Sequence, residues 1–453
     1  METIWAREAL LAGGWAEAVA LTVEDGRIAS VETGAPPAGR RAGLLVPAPV
    51  NVHSHAFQRA MAGLAERRGP EGRDSFWTWR ALMYRFLDAL TPAQVEAIAA
   101  FVQMEMLEAG FGASVEFHYL HHRPDGRPYD NLGEMSERIA AAASASGIGL
   151  TLLPVLYQQG GCDGRALGPG QRRFGNDTDR FARLLEAARA AVSALPPDSR
   201  AGVAPHSLRA VPREALAALP DLAGDDPIHM HLAEQTAEVA EVRAAYGARP
   251  VEWALATLPL DARWCLIHCT QTTPEETLGL AASGAVAGLC PLTEASLGDG
   301  VFDGVRWAEA GGAFAVGSDS NIRVSLAEEL RQLETSQRLR DRGRAALADA
   351  GRSTGRRLLE DAAAGGARAA GRGSGRIEPG APADLLELDM EHPDLAGLGG
   401  DVALDAFAFA GGSEMVCTVW SGGRALVEKG RHVRRGAIEA AYRAAIAPLR
   451  AAL

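Results

Sequence analysis

Several segments of the chain end in residue types that commonly bind metal ions or move protons. His53 and His55 stand two residues apart in NVHSH, and this spacing puts both imidazoles on the same face of a β-strand. His231 in HMHLAE and Asp319 in VGSDS add a third imidazole and a carboxylate. Three imidazoles and one carboxylate suit Zn²⁺, with Fe²⁺ as the alternative. These residues therefore predict one divalent metal ion per chain, bound by His53, His55, His231 and Asp319.

The other candidates stand close to these positions in the sequence. Glu234 follows His231 by three residues, where a strand should give way to a helix, so its carboxylate could carry protons in the same cavity. Alternatively, the negative charge of Glu234 could stabilise the helix by interacting with the positive end of its dipole. His268 ends the apolar run CLIH, and a single histidine at such a position is more often a core residue than a functional one. Asp319, taken by itself, could instead cap the helix that follows it. His229 shares the strand face of His231 but lies about 7 Å deeper by strand rise, so His231 is the expected ligand.

Eight short apolar segments alternate with helix-like stretches such as TPAQVEAIAAFVQMEMLEAG, and they would position these residues. The eight segments are VPAPVNVHSH, GASVEFHY, GIGLTLLPVLY, AGVAPHS, PIHMHLAE, RWCLIHCT, GAVAGLCPLTE and AFAVGSDS. Eight such alternations predict an α/β fold with a closed (β/α)8 TIM barrel, whose active site lies at the C-terminal ends of the strands. The phosphate-loop sequences that would favour an open sheet do not occur in the chain.

Both ends of the chain contain short β-like segments joined by glycine-rich turns, such as AVALTVEDGRIASVET and EMVCTVWSGGRALVEKG. Because chain ends often lie close together, residues 1–47 and 375–453 are expected to form one small, discontinuous β-sandwich domain. The catalytic (β/α)8 barrel would then span residues 48–374.

The connection after the first predicted strand, from residue 56 to about residue 90, is unusually long. Long connections of this kind often serve as lids or carry functional residues. We expect Trp77 and Trp79 to pack inside this loop rather than to contact a ligand.

The composition limits the classes of partner. The chain has 453 residues and a net charge of −12, whereas sequence-independent binding to nucleic acid or an anionic membrane needs clustered Lys and Arg. Five cysteines without a C-x-x-C pair argue against a disulfide framework and against a thiolate zinc site. The first residues lack the basic and apolar parts of a signal peptide, and no run of about 18 apolar residues occurs. We expect a soluble, cytoplasmic protein whose partner is a small molecule.

This pattern resembles the single-metal aminohydrolase branch of the amidohydrolase superfamily, and the resemblance covers the whole chain. The H-x-H pair, the H-x-x-E segment, His268 and Asp319 carry it. No lysine ends the fourth predicted strand, where AGVAPHSLRAV stands, so a binuclear site with a carbamylated lysine is not expected. Within that branch, HSHAFQRAMAG, FWTWRALMYRF, EFHYLHH, APHSLRAV and HMHLAEQ are similar to the formimidoylglutamate deiminases. That family hydrolyses N-formimidoyl-L-glutamate to N-formyl-L-glutamate and ammonia during histidine breakdown, and it is typically homodimeric.

The resemblance implies a role for each remaining residue. His268 and Asp319 would orient the attacking water and accept its proton, and Glu234 would protonate the leaving nitrogen. The two carboxylates of such a substrate require cationic donors, and a bidentate arginine is the strongest of these. The residues expected to contact the substrate are Gln58, Arg80, Tyr119, His206 and Arg209.

Two other interpretations remain open. One keeps the superfamily but changes the substrate to an aromatic ring, as in guanine deaminase, cytosine deaminase or imidazolonepropionase; against it, the expected contacts include two arginines and only one obvious aromatic residue, Tyr119. The other is a non-catalytic relative that uses the barrel as an interaction scaffold. Such a protein would have no reason to keep every ligand and both proton carriers.

Overall fold

The computed structural model describes residues 1–66 and 76–451, without the side chains of residues 76–78. The strands are β1 (Glu2–Leu11), β2 (Gly14–Glu24), β3 (Arg27–Glu32), β4 (Arg40–Pro47), β5 (Val50–Asn51), β6 (Ala113–His118), β7 (Gly149–Leu156), β8 (Arg200–Ala201), β9 (Ala204–Pro205), β10 (Ile228–Leu232), β11 (Trp264–His268), β12 (Val286–Leu289), β13 (Ala313–Val316), β14 (Leu385–Leu388), β15 (Val416–Ser421), β16 (Arg424–Glu428) and β17 (Arg431–His432). The helices are α1 (Phe76–Ala89), α2 (Pro92–Glu108), α3 (Glu134–Ser146), α4 (Thr178–Ser193), α5 (Arg213–Ala223), α6 (Thr236–Tyr246), α7 (Pro250–Thr257), α8 (Pro274–Ser283), α9 (Pro291–Leu297), α10 (Gly304–Glu309), α11 (Leu326–Asp341), α12 (Thr354–Ala369), α13 (Gly400–Phe409) and α14 (Arg435–Ala451).

The middle of the chain contains two parallel sheets. One has the strand order β5-β6-β7-β8, with β9 also pairing with β7, and the other has the order β10-β11-β12-β13. Each of the eight predicted apolar segments contributes a strand, and the fourth is divided between β8 and β9. Their residues are almost completely buried, as expected for parallel strands with helices on their outer face.

Single β-bridges connect the two parallel sheets at both edges. Val203 pairs with Ile228 and Ser207 pairs with His231, which links the fourth segment to β10. Ser54 pairs with Asp319, which links the residues after β5 to those after β13. The polar residues that follow these strands are therefore brought to one end of both sheets.

Several helices begin at a residue whose side chain caps the helix. Thr91 precedes α2, and its side chain accepts a hydrogen bond from Gln94 N while Gln94 Oε1 accepts one from Thr91 N. Thr273 and Glu276 form the same reciprocal arrangement at α8. These bonds satisfy backbone N–H groups that a helix leaves without partners at its start.

The two ends of the chain share a third sheet, whose strand order is β17-β16-β15-β14-β4-β1-β2-β3. β14 pairs antiparallel with β4 and joins the two halves of this sheet. A separate apolar cluster that includes Ile4, Leu21, Ile377 and Trp420 is buried beside it.

The prediction of a purely β tail was incomplete, because α13 and α14 lie within residues 375–453. α14 packs against α2, where the rings of Tyr442 and Phe101 are stacked with centroids 4.0 Å apart. The buried residues of α14, Ile438, Tyr442, Ile446 and Leu449, recur every three or four positions, which is the helical period. This period can be read from the sequence, so α14 is predictable from it.

A buried arginine connects the shared sheet to the parallel sheets. Arg372 pairs with Asp384, next to β14, through Nε and Oδ2 at 2.5 Å and through Nη2 and Oδ1 at 2.8 Å. It also contacts Asp198, shortly before β8, through Nη2 and Oδ2 at 2.7 Å. Burial raises the pKa of Asp198, but the guanidinium groups of Arg424 and Arg372 outweigh it and lower the pKa below its usual value.

Among the described residues, no helix is both long enough and apolar enough to cross a membrane. The five cysteines are free thiols, and all except Cys417 are buried.

Candidate metal centre and active-site cavity

Four side chains converge at the C-terminal ends of β5, β10 and β13, with His231 inside β10 and the other three just beyond β5 and β13. His53 Nε2 lies 3.1 Å from His231 Nε2. Asp319 Oδ1 lies 3.5 Å from His53 Nε2 and 3.3 Å from His55 Nε2. One possible ligand atom from each residue lies within 4.8 Å of the other three. The structure thus brings together the four side chains that the sequence predicts as metal ligands.

Hydrogen bonds at the opposite ring nitrogen orient two of these imidazoles. His55 Nδ1 lies 2.9 Å from the carbonyl oxygen of Phe117, and His231 Nδ1 lies 3.0 Å from that of His206. A carbonyl oxygen can only accept, so each Nδ1 carries the proton and each Nε2 keeps a free lone pair. Both rings therefore present the nitrogen that a metal ion requires.

Burial sets the protonation of this group. It lowers the pKa of His55 to about 3 and holds the pKa values of His53 and His231 well below their usual value, with further lowering from neighbouring imidazoles. Burial also raises the pKa of Asp319 to about 7. Neutral imidazoles are the form that binds metal, and buried lone pairs so close to a carboxylate are stabilised by a cation among them. The donor set therefore fits Zn²⁺ or Fe²⁺.

The backbone at three strand ends adopts the left-handed conformation that non-glycine residues seldom adopt. The φ angles are 53° at Ala233, 73° at His268 and 44° at Asp319. Each such residue costs about 1–3 kcal/mol and persists only where its surroundings hold it. At Asp319, the backbone N–H donates to His53 O at 2.9 Å, and its carbonyl accepts from His55 N at 2.9 Å. Strain of this kind concentrates at functional sites.

Two residues that we did not predict hold the histidine pair in place. Gly317 lies so close to the neighbouring strand that a Cβ atom there would be 2.6 Å from His53 N. Glu116, on β6, is buried, and its Oε1 accepts a hydrogen bond from Ala56 N at 2.8 Å, directly after His55. Burial raises the pKa of Glu116 to about 8. No spacing in the sequence connects either residue to the H-x-H segment.

The two predicted proton carriers lie beside this cluster. Both Glu234 and His268 are buried. His268 Nε2 is 3.9 Å from Glu234 Oε1 and 3.9 Å from Asp319 Oδ2. Burial lowers the pKa of His268, but nearby carboxylates, the first of them Glu234, outweigh burial and raise it to about 10. His268 therefore holds a positive charge at neutral pH unless another cation offsets those carboxylates.

Sequence reasoning also missed Glu294, on α9. Its Oε1 lies 3.2 Å from His268 Nδ1 and accepts a hydrogen bond from Cys290 N at 2.8 Å. The only available signal was its position in the polar end of GAVAGLCPLTE, one of the predicted strand segments.

A cavity opens beside the metal ligands, and all five residues predicted to contact substrate line it: Gln58, Arg80, Tyr119, His206 and Arg209. Gln58 Nε2 donates to Tyr119 Oη at 2.9 Å. Arg209 is buried, with Nη2 3.9 Å from Glu234 Oε2, and within the described part of the chain its Nε has no hydrogen-bond partner. The cavity thus contains both the proposed reacting groups and a buried cation.

The long connection after β5 is less loop-like than predicted. A short 3-10 helix covers Ala56–Met61. Arg80 lies on α1 and not in a loop, so the expected loop is partly helical. Arg80 Nε donates to Tyr84 Oη. Trp79 lines the cavity and also packs against the hydrophobic core, so its expected role in packing rather than in ligand contact stays a prediction, and the side chain of Trp77 lies outside the described residues.

Two neighbouring groups are poorer ligands. His229 lies deeper, and its Nε2 is 2.8 Å from the carbonyl oxygen of Ala369. Cys290 lies close to His268 and Asp319, but burial raises the pKa of its thiol well above the usual value, which disfavours the thiolate that binds metals.

Two family models match the chain. The model described as "Amidohydrolase family" matches residues 44–426, and the model described as "Formimidoylglutamate deiminase HutF, N-terminal domain" matches residues 1–41. Together they cover nearly all of the sequence and include every residue of the candidate site.

Individual proteins give a consistent result. The chain is 47% identical over 437 residues to "Formimidoylglutamate deiminase" from Pseudomonas aeruginosa, covering 95% of this chain and 96% of that protein. A crystal structure of an amidohydrolase from Brucella melitensis superposes with a TM-score of 0.95 at 50% identity, covering 99% of this chain and 100% of the other. An adenosine deaminase from Xanthomonas campestris with bound zinc superposes with a TM-score of 0.83 at 22% identity, covering 99% and 98%, and this shows a shared fold only. The chain belongs to the amidohydrolase family and, within it, to the formimidoylglutamate deiminases.

Proposed function

We propose that this protein hydrolyses N-formimidoyl-L-glutamate to N-formyl-L-glutamate and ammonia, with one divalent metal ion bound by His53, His55, His231 and Asp319. The observation that carries the proposal is a cavity lined by His55, His231 and Asp319 together with two arginines, with His53 grouped behind these three, in a chain 47% identical over 95% of its length to a formimidoylglutamate deiminase. Zn²⁺ is our assignment, with Fe²⁺ as the alternative.

We also propose a closed barrel and a small second domain for this chain. The bridges from Ser54 to Asp319 and from Val203 to Ile228 support closure of the two parallel sheets into a (β/α)8 barrel spanning residues 48–374. The shared sheet supports a small discontinuous β-sandwich domain, formed by residues 1–47 and 375–453.

The reaction adds water to the formimidoyl carbon and breaks its bond to the terminal nitrogen. A divalent ion held by His53, His55, His231 and Asp319 would supply Lewis acidity, which makes it easier to deprotonate the attacking water near neutral pH. His268 Nε2 and Asp319 Oδ2 lie 3.9 Å apart, and in our proposal they orient this water and accept its proton. Glu234, 3.9 Å from His268 Nε2, delivers a proton to the nitrogen that leaves as ammonia.

The other end of the substrate carries two carboxylates, which Arg209 and Arg80 are suited to bind. Arg209 is buried with an unpartnered Nε among the described residues, so an incoming carboxylate would satisfy a group that is costly to leave unpaired. Arg80 lines the same cavity from α1. Gln58, Tyr119 and His206 are the proposed polar contacts between the two ends.

We also propose that the protein acts as a homodimer in the cytoplasm. The five free cysteines fit a reducing compartment, and the dimer follows the family resemblance. Light scattering of the purified protein would show a dimer mass, and a monomer at working concentrations would exclude this part of the proposal.

Deamination of an aromatic ring is a second candidate, favoured by one observation. Besides Tyr119, the aromatic side chains of Trp79, Tyr84, Tyr157 and Phe174 line the cavity. These rings could pack on a purine or pyrimidine, although a neutral base offers no carboxylate for Arg80 and Arg209 to bind.

The direct test of metal-dependent deimination removes and restores the metal. The chelated, metal-free enzyme is expected to release no ammonia from N-formimidoyl-L-glutamate, and activity should rise in proportion to added Zn²⁺ up to one ion per chain. Full activity without metal, or saturation at two ions per chain, would contradict the proposal.

A further inference from the structure

Glu294 contacts His268 at Nδ1, whereas the other ring nitrogen, Nε2, is the one nearer to Asp319. We propose that Glu294 positions His268 for proton transfer by fixing the proton of the imidazole on Nδ1 and directing Nε2 into the cavity. The inference rests on the proposed role of His268 and adds a residue that the mechanism above does not use.

The position of the Glu294 carboxylate is fixed independently of His268. Its Oε1 accepts from Cys290 N at 2.8 Å, and this N–H belongs to the backbone immediately before α9. The same oxygen lies 3.2 Å from His268 Nδ1, and both residues are buried. The carboxylate is therefore anchored at the end of β12 and reaches across to the end of β11.

This contact determines which ring nitrogen can take part in chemistry. An ionised carboxylate only accepts hydrogen bonds, so His268 Nδ1 must be the donor. The other nitrogen, Nε2, lies 3.9 Å from both Glu234 Oε1 and Asp319 Oδ2. When Nε2 takes the proton of the attacking water, the imidazole becomes a cation whose Nδ1–H is hydrogen-bonded to the Glu294 carboxylate. A buried carboxylate plays the same orienting and charge-stabilising part behind the histidine of a Ser-His-Asp triad.

The local backbone explains why His268 needs such a partner. His268 and Cys269 both have left-handed φ angles, 73° and 51°, at the point where β11 ends. A side chain on a strained turn has no regular strand to orient it, so a second contact is needed to hold the ring. The hydrogen bond to Glu294 provides that contact at Nδ1.

A purely structural role must be separated from this one, because Glu294 also holds the backbone of α9. Glu329, on α11, offers a matched control: it is buried, and its Oε2 accepts from Leu292 N at 3.0 Å, in the first turn of the same helix. It supports α9 as Glu294 does, but its hydrogen bond goes to the backbone of α9 and not to His268.

The experiment compares Glu294→Gln, Glu329→Gln and His268→Asn, together with the Glu294→Gln/His268→Asn double variant. Glutamine keeps an oxygen for Cys290 N and removes the charge, so the fold should be retained. Metal content, melting temperature, kcat and KM for N-formimidoyl-L-glutamate would be measured for each. We expect kcat of Glu294→Gln to fall about 10–100-fold with KM and metal content nearly unchanged, the usual scale for the partner of a functional histidine. Glu329→Gln should keep wild-type kcat.

The double variant tests whether Glu294 acts through His268. If it does, Glu294→Gln should cause no further loss of kcat once His268 is replaced. The same loss in both backgrounds, equal losses in the Glu294 and Glu329 variants, or wild-type kcat in Glu294→Gln would each overturn the inference. Wild-type kcat in His268→Asn would overturn the proposed role of His268 and this inference with it, while leaving deiminase activity itself established.

Discussion

At the scale of single residues, the decisive property of the proposed metal centre is that two of its three imidazole rings are oriented by hydrogen bonds before any ion binds. His55 and His231 each donate Nδ1–H to a backbone carbonyl, so neither ring has to rotate or lose a proton to offer Nε2. A site held in this way loses little conformational entropy when the metal binds. Removing one ligand should therefore abolish binding rather than allow a neighbour to take its place.

Replacing His231 with Ala tests this expectation. The variant should lose most of its metal and nearly all turnover, because two imidazoles and a buried carboxylate remain as an incomplete donor set. The matched control is His229→Ala, two residues earlier on β10, where His229 contacts Ala369 O rather than the ligand cluster. Metal analysis should find about one ion per chain in the control and much less in His231→Ala. Equal metal content in the two variants would refute the ligand assignment.

Replacing Glu234 with Gln separates proton transfer from metal binding. The variant should keep its metal while kcat falls by roughly 10² or more, the usual scale for a general acid–base group. Metal analysis and steady-state kinetics of the same variant show whether Glu234 transfers protons or binds the metal. If metal is lost together with activity, Glu234 is a ligand or a structural support and not a proton carrier.

The sequence predicted residues that end strands and could not predict residues that support them. The spacing in H-x-H and the polar ends of apolar runs identified His53, His55, His231 and Asp319, because parallel strands bring their C-terminal ends together. Glu294 reaches the site from a short helix, and its contact depends on three-dimensional packing that has no period in the sequence.

At the scale of secondary structure, apolar runs and capping residues predicted the middle of the chain well. All eight predicted strand segments form strands, since fully buried parallel strands are short and continuously apolar. The prediction was incomplete in the tail, because glycine-rich turns around β15 and β16 indicate strands while the helical period of α14 follows directly after them. α1 was likewise described as loop, although it carries Arg80 and Trp79 to the cavity.

The contact between α14 and α2 predicts a stability effect without a catalytic one. Tyr442 stacks on Phe101 and is mostly buried, so Tyr442→Ala should lower the free energy of unfolding by about 3 kcal/mol through lost packing. Tyr442→Phe keeps the stacked ring and should have little effect. Urea unfolding of both variants measures the difference, and kcat and metal content should remain at wild-type values. A large loss of metal in Tyr442→Ala would mean that α14 supports the site as well as the fold.

At the scale of the whole molecule, the stability of the chain depends on how its two ends attach to the parallel sheets. One buried polar attachment is Arg372, which contacts Asp384 beside β14 and Asp198 before β8. Both Arg372 and Asp384 are almost completely buried. Burying such charges is costly, but breaking the pair by removing one partner is more costly still.

Arg372→Met should therefore destabilise the protein by about 3–5 kcal/mol, because it leaves Asp384 buried and unpaired. The matched control is Arg424→Met, which removes a more exposed partner of Asp198 and should cost at most about 1 kcal/mol. Denaturant unfolding at neutral pH compares the two variants. An equal loss of unfolding free energy in the two variants would contradict the greater contribution assigned to the buried Arg372.

The same pair predicts a pH dependence. The folded-state pKa of Asp198 lies below its usual value, so its contribution to stability is present at neutral pH and is lost as pH falls through that lowered pKa. Because Arg372 is one cause of the shift, the stability difference between wild type and Arg372→Met should shrink in acid. A difference that grew as the pH was lowered would contradict this assignment.

The measurement that tests the central claim most directly is kcat/KM for three compounds in the parent enzyme and in Arg209→Ala. The compounds are N-formimidoyl-L-glutamate, a small formimidoyl compound without carboxylates, and adenosine, with ammonia release as the assay. Arg213→Ala is the matched control, because Arg213 lies over the ring of Tyr246 on α6 and is not among the cavity-lining residues.

We predict that the parent enzyme strongly prefers N-formimidoyl-L-glutamate and that Arg209→Ala loses about 2–5 kcal/mol of transition-state binding for it, with metal content unchanged. The carboxylate-free compound should be a poor substrate for both enzymes, and Arg213→Ala should behave as the parent. If the parent instead hydrolysed the carboxylate-free compound or adenosine as well as N-formimidoyl-L-glutamate, the carboxylate-binding role of Arg209 and the proposed substrate would both be wrong.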